Sequence, residues 1–368
     1  MRFGRFEMKL AAGIVLTAVA GALLLLPGCV APSYYLQAAA GQIQLWRLSR
    51  PLTDVQSDPQ TSDNTRHRLT LVRHIRDFAT RELHLPDNGS YRKYADLNRP
   101  YVVWNVFAAS EFSVTPRQWC FPVAGCVSYR GYFARADADA YAELLRGQGY
   151  EVHVGGVPAY STLGWFDDPI LNTFIFYPET ELARLIFHEL SHQVVYVGDD
   201  SEFNESFATA VELAGVRRWL ARHGDLVKRE AFEQAQQRRR DFIALVLKYR
   251  TALDENYRSG ATSEEIRRRK RQLLTELKQE YAALKRERWS GYAGYDRWFG
   301  QDLNNAMLAS VGIYTRLEPT FQALLDTNKG DLPSFYRDVR SLAALPKENR
   351  LLALERAAAV VTGEIESD

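Results

Sequence analysis

Residues 187–212 read FHELSHQVVYVGDDSEFNESFATAVE. Two histidines stand four apart with a glutamate between them, and two further glutamates follow. On an α-helix, residues i and i+4 share one face a turn apart, so His188 and His192 can offer both imidazoles to a single ion. Glu189, next to His188, can take a proton from water without itself being a ligand. Leu182, Ile186, Leu190 and Val194 recur every four residues and predict a helix with an apolar stripe. Thr180, between Glu179 and Glu181, is the expected cap at its start. The bland alternative is a pair of surface histidines on an amphipathic helix. The whole chain has only seven histidines, which makes two at this spacing informative.

Catalytic zinc sites usually hold three protein ligands and leave a fourth position for water. Glu205 and Glu212 both qualify by residue type. Gly198-Asp199-Asp200-Ser201 is a turn and cap cluster, so a second helix should begin near Ser201 and run back antiparallel along the first. Glu205 then lies about as far beyond the turn as His192 lies before it. Glu212 lies roughly 10 Å deeper, at about 1.5 Å per residue. The geometry selects Glu205 as the third ligand and leaves Glu212 to hydrogen-bond a liganding histidine from behind.

These segments resemble a known family. HELSH and NESFATAVE are similar to the HExxH plus N-E-x-F-A pattern of gluzincin metallopeptidases, and the seven-residue step from Glu205 to Glu212 is similar to their aminopeptidase N-like branch. The loop between the two segments is shorter here. A closer resemblance is to zinc-dependent aminopeptidases found as bacterial lipoproteins. It extends over GCVAPSYYLQAAAGQIQLW, AYSTLGWFDDPILNTF and LNNAMLASVGIYTRLEPTF. The resemblance implies Zn2+ held by His188, His192 and Glu205, with Glu189 as general base. It also implies a predominantly helical α+β fold, with a small zincin-like sheet ahead of the HExxH helix. Gluzincins use a tyrosine or histidine from a later helix to stabilise the oxyanion, which makes Tyr314 the candidate; a core tyrosine is the alternative.

Arg2, Arg5 and Lys9 precede an apolar run from Leu10 to Leu26, so residues 1–28 read as an export signal. Leu26-Pro27-Gly28-Cys29 looks like a bacterial lipobox, with Cys29 as the lipidated N-terminus and Pro27 unusual at its place. An uncleaved membrane anchor is the competing reading. Lipidation implies a periplasm-facing protein of the bacterial envelope, and the absence of an acidic residue after Cys29 points to the outer membrane. An oxidising compartment permits a disulfide between Cys120 and Cys126; two free buried cysteines are the alternative.

The remaining chain organises around these points. Residues 29–60 form a membrane-proximal tether and helix. Residues 61–224 form the catalytic part, with a helix at about 62–83, strands at Tyr101–Phe107, Val127–Phe133 and Glu151–Val157, and a helix at about 137–147. Gly155-Gly156-Val157-Pro158-Ala159-Tyr160 resembles the zincin edge strand that pairs with substrate, although a turn explains the glycines as well. Gly156 and Tyr160 are therefore weak substrate-binding candidates. Asp167 and Asp168 are weak candidates for recognising a substrate amine. Residues 225–289 are rich in Arg, Lys, Glu, Gln and Leu, and predict a long helical hairpin broken at Ser259–Ser263. Its clusters Arg238–Arg240 and Arg267–Arg271 read as solvated faces that could touch anionic lipid. Residues 290–368 return to ordinary helix and complete the cleft.

With 46% hydrophobic and 25% charged residues, the composition is that of a globular protein. A formal net charge of +1 gives no electrostatic case for nucleic acid. The reading is a membrane-tethered zinc peptidase, an aminopeptidase by resemblance, with an endopeptidase of envelope quality control as one alternative. The other is a lipoprotein scaffold that keeps the zincin fold and docks a partner through its hairpin.

Overall fold

The computed structural model describes residues 32–121, 125–159, 161–162, 166–198, 200–311 and 317–359. Residues 1–28, read above as an export signal, and Cys29, Tyr160 and Tyr314 lie outside them. In chain order the helices are α1 (Pro32–Leu48), α2 (Leu52–Ser57), α3 (Asp63–Leu83), α4 (Arg135–Gly147), α5 (Glu179–Ser191), α6 (Ser201–His223) and α7 (Leu226–Tyr257). They continue with α8 (Ser263–Glu287), α9 (Asp296–Phe299), α10 (Asn305–Ala309), α11 (Glu318–Thr327), α12 (Leu332–Ala343) and α13 (Lys347–Ala359). The strands are β1 (Arg50–Pro51), β2 (Lys93–Ala95), β3 (Val103–Ser110), β4 (Trp119–Phe121), β5 (Gly125–Val127), β6 (Arg130–Tyr132), β7 (Tyr150–Val157) and β8 (Ile170–Leu171). The fold is α+β and mostly helical. Two units divide between Arg47 and Leu48, and all but the last residue of α1 belongs to the first. Among the described residues, no helix is long and apolar enough to cross a membrane.

The strands make three small sheets rather than one. The principal sheet has the order β6-β3-β7 and is antiparallel, with Val103 opposite Val157 and Ser110 opposite Tyr150. β3 is central and its Val106 and Ala108 are fully buried. A short mixed sheet, β1-β2-β8, and the hairpin β4-β5 complete the set. Cys120 and Cys126 are cross-strand partners in that hairpin and are disulfide-bonded. β7 lies at an edge, and the Asn304 amide donates to its Val152 carbonyl at 3.3 Å, blunting the edge there. Gly156 has a local reason to be glycine, because a Cβ there would run into the Tyr101 ring.

α5 begins after Pro178, whose φ of −48° sets the entry, and no side chain caps it. Thr180 therefore sits inside the first turn and is not the cap; proline at the N-cap has no side-chain oxygen to accept from the first N–H groups of the helix. α6 starts at Ser201 with Asp200 as its N-cap, accepting from Phe203 N at 3.3 Å. Arg184 reaches Glu212, His188 reaches Glu205, and Val197 bonds Asn204, so the two helices run antiparallel. Gly215 lies where α3, α5 and α6 converge; a Cβ there would sit 2.7 Å from both Leu83 and Phe187.

The 225–289 region is a hairpin of α7 and α8, with Thr262 and Glu265 forming a reciprocal capping box at the start of the second arm. Its seam is apolar: Phe242, Leu245, Val246, Tyr249 and Leu253 pack in one core with Leu273, Leu277 and Tyr281. The same core takes in Phe299, Leu303, Met307 and Leu308, so the stretch of the hairpin from Phe242 to Leu253 and Leu273 to Tyr281 is joined to the segments that follow it. The second cationic cluster is only partly solvated. Arg267 pairs with Glu111, and the buried Lys270 ammonium pairs with Glu151.

Candidate metal centre

The α5–α6 hairpin brings three donors together. His188 and His192 Nε2 lie 3.2 Å apart, Glu205 Oε2 is 3.2 Å from His188 Nε2, and Glu205 Oε1 is 3.6 Å from His192 Nε2. All three ligand atoms fall within 4.8 Å of one another. α5 ends at Ser191, but His192 keeps helical backbone angles (φ −61°, ψ −22°), so the i, i+4 relation survives. Asn204 prepares Glu205. It is buried, accepts from Val197 N at 2.8 Å and donates to Val197 O at 2.7 Å, which ties the turn to the helix start.

The donor set suits a transition metal. Two imidazole nitrogens facing each other at 3.2 Å repel unless a proton or cation lies between them, and a carboxylate closes the group. One oxygen and two nitrogens are ordinary ligands of such ions, and the chemistry does not by itself separate one divalent metal from another.

A charged layer stands behind the donors. Glu212 is fully buried and its Oε2 lies 2.9 Å from His188 Nδ1, in an ion-pair contact whose ring N–H is turned off the line to the oxygen. The Arg184 guanidinium donates to both Glu212 oxygens at 3.0 and 3.1 Å, and Arg239 from α7 donates at 3.1 Å. Burial opposes the charge on Glu212, but these two cations and His188 hold its carboxyl well below the usual range. Burial also disfavours protonated His188, yet Glu205 and Glu212 outweigh it and raise the imidazole to about 10. His192, buried beside that cation, is lowered to about 4.

Glu189 lies one residue round the helix from His188 and is half-buried. Burial raises its carboxyl to about 7, against the pull of His188. The buried Asp168 and the Tyr91 phenol lie within electrostatic reach of it. Tyr91 sits on a loop held by Arg76, a fully buried guanidinium that donates to the Ser90, Pro86 and Asn88 carbonyls. Asp168 is turned inward. It accepts from Thr162 N at 3.0 Å and Thr162 Oγ1 at 2.8 Å, so its oxygens anchor the 161–162 segment. Asp167 is half-exposed, 3.8 Å from the Lys93 ammonium, and neither aspartate belongs to the donor cluster.

A cavity of about 490 Å³ opens beside His188 and Glu205. Its other walls come from α7 and the segments after α8, including Arg238, Phe242, Tyr292 and Val311. Arg238 and Arg239 are thus half-buried at the centre and not on a solvated face; only Arg240 of that triplet is exposed. Sequence reasoning missed Arg184, Arg238 and Arg239. Arg184 left a signal, since it stands one turn before His188 on the same helix face. The contributions of α7 are long-range and left none.

An antiparallel helical pair presenting two histidines and a glutamate to one point, in an α+β frame, defines a candidate metalloenzyme centre. The chain belongs to the family described as "Putative aminopeptidase", whose family model matches residues 33–354. Membership makes it a peptidase in the general sense. Comparison with curated proteins and with solved structures returned no match.

Proposed function

We propose that this protein is a zinc-dependent metallopeptidase that removes residues from the amino end of peptides, tethered to the envelope through Cys29. The observation that carries the reading is the convergence of His188, His192 and Glu205 within 4.8 Å in a chain of an aminopeptidase family. His188, His192 and Glu205 would hold the ion. Bound there, zinc supplies a Lewis acid that polarises a carbonyl and lowers the pKa of water.

The remaining chemistry belongs to side chains. Glu189, beside His188 and with its carboxyl raised by burial, accepts a proton from the attacking water and can return it to the departing amine. Glu212 fixes the His188 ring from behind, and Arg184 and Arg239 keep Glu212 ionised and in place. Tyr314 is the proposed oxyanion donor; Ser310 and Val311, which precede it in the chain, line the cavity.

The test combines metal analysis with cleavage of a peptide library. Stoichiometric zinc and cleavage after the first residue are expected, and both should vanish in His188→Ala. Internal cuts would move the protein to the endopeptidases. Zinc without any cleavage would favour the scaffold reading.

A further inference from the structure

We propose that Arg238 is the recognition residue for a peptide carboxylate in the cavity beside His188 and Glu205. The inference rests on the peptidase reading for the word peptide, and on the cavity itself for the carboxylate.

The charge inventory of the cavity wall isolates Arg238. Its three arginines are Arg184, Arg238 and Arg239. Arg184 is held by Glu181 at 2.9 Å and by Glu212 at 3.0 Å, and Arg239 is held by Glu212 at 3.1 Å. Glu181 and Glu212 are thereby neutralised, and Glu205 is committed to the donor cluster. Among the described residues, Arg238 has no carboxylate partner. Its Nε is buried without a hydrogen-bond acceptor, and its guanidinium lies over the Tyr292 ring at 4.4 Å. A cation–π contact uses none of the guanidinium N–H donors, so they stay available to receive a carboxylate by two parallel bonds. A buried donor without an acceptor is costly, and a ligand that supplies one recovers that cost on binding.

The cavity is of small-ligand size and accommodates a short peptide rather than a folded chain. Phe242 and the Arg238 Nε are buried while Tyr292 is half-exposed, so the carboxylate meets Arg238 in a partly desolvated setting where the pair is stronger than in water. A substrate carboxylate has two sources, the free C-terminus of a short peptide or an acidic side chain.

The experiment uses full-length Glu189→Gln protein loaded with zinc, so that peptides bind without being cut, with affinity read by calorimetry. Trialanine is compared with trialanine amide, and alanyl-aspartyl-alanine amide with its asparaginyl counterpart. Loss of the carboxylate from the correct pair should weaken binding about 10- to 100-fold, the effect of one charge-assisted contact. In the added variant Arg238→Leu the acid and the neutral peptide should bind alike, with zinc stoichiometry unchanged. Equal binding of acid and neutral peptides to the Arg238-bearing protein overturns the proposal, and so does a preference that survives in Arg238→Leu. If Arg238→Leu does not fold, Arg238→Gln takes its place, and the comparison of acid with neutral peptide decides alone. N-acetylalanine, which has a carboxylate but no amine, separates this failure from that of the peptidase reading. Its Arg238-dependent binding, together with no cleavage of any library peptide by the protein that retains Glu189, supports the carboxylate site and removes the peptidase. Cleavage indifferent to the carboxylate does the reverse.

Discussion

Two helical hairpins follow one another in this chain and are built on opposite plans. The α7–α8 hairpin has an apolar seam, from Phe242 to Leu253 on one arm and Leu273 to Tyr281 on the other. The α5–α6 hairpin buries Ser191, His192, Asn204, Ser206, Thr209 and Glu212 between its apolar residues. Burying such groups costs free energy unless each finds a partner. Here Asn204 is satisfied by the turn, Ser191 by the Phe187 carbonyl at 2.6 Å, and Glu212 by two guanidiniums. His192 Nδ1 finds none. The first hairpin thus spends stability on fixing donors in place, and the second supplies stability around it.

That contrast can be broken by substitution. The largest effect should come from Glu189→Gln, which removes the proposed base but keeps the shape. Turnover should fall by about 10²–10⁴-fold with the thermal midpoint and metal content unchanged; wild-type turnover in a metal-loaded variant would remove Glu189 from the mechanism. Leu277→Ala, in the fully buried seam of the other hairpin, should cost about 2–5 kcal/mol in denaturant unfolding and leave metal affinity alone. A change in metal affinity there would mean the two hairpins are not separable in function.

Glu212→Gln should lower metal affinity about 10- to 100-fold in competition with a chelator, the usual effect of losing a group that orients a liganding histidine. Glu205→Ala should lower it by much more. If the two are reversed, Glu212 is the ligand and Glu205 its support. The smallest effect is expected at the far tip: Thr262→Ala breaks the capping box and should cost about 1 kcal/mol with no change in turnover.

What was legible in the sequence follows the range of the interactions. The starts of the helices at 63–83, 201–223 and 263–287 are announced by local signals, namely a serine, aspartate or threonine cap. The meeting of His188, His192 and Glu205 needs only one helical period and one short turn, and both are written in the quoted stretch. The three-sheet arrangement was illegible because β1, β2 and β8 are two or three residues each and pair across gaps of more than forty residues. Arg238 and Arg239 misled for a related reason. A run of three arginines looks solvated by composition, but successive residues on a helix point about 100° apart, so one run can serve both a core and a surface. Nothing local says which of the three faces inward.

The position of Arg239 has a practical meaning for anyone dividing this chain into pieces. Composition changes abruptly near residue 225, where a fragment boundary is tempting. Yet a fragment ending there would leave Glu212 with one guanidinium instead of two and would strip the cavity of its α7 wall. Loss of activity after excising the long hairpin would therefore say nothing about a partner docking on it. A single substitution on its exposed face, such as Leu247→Asp, is the cleaner way to ask that question.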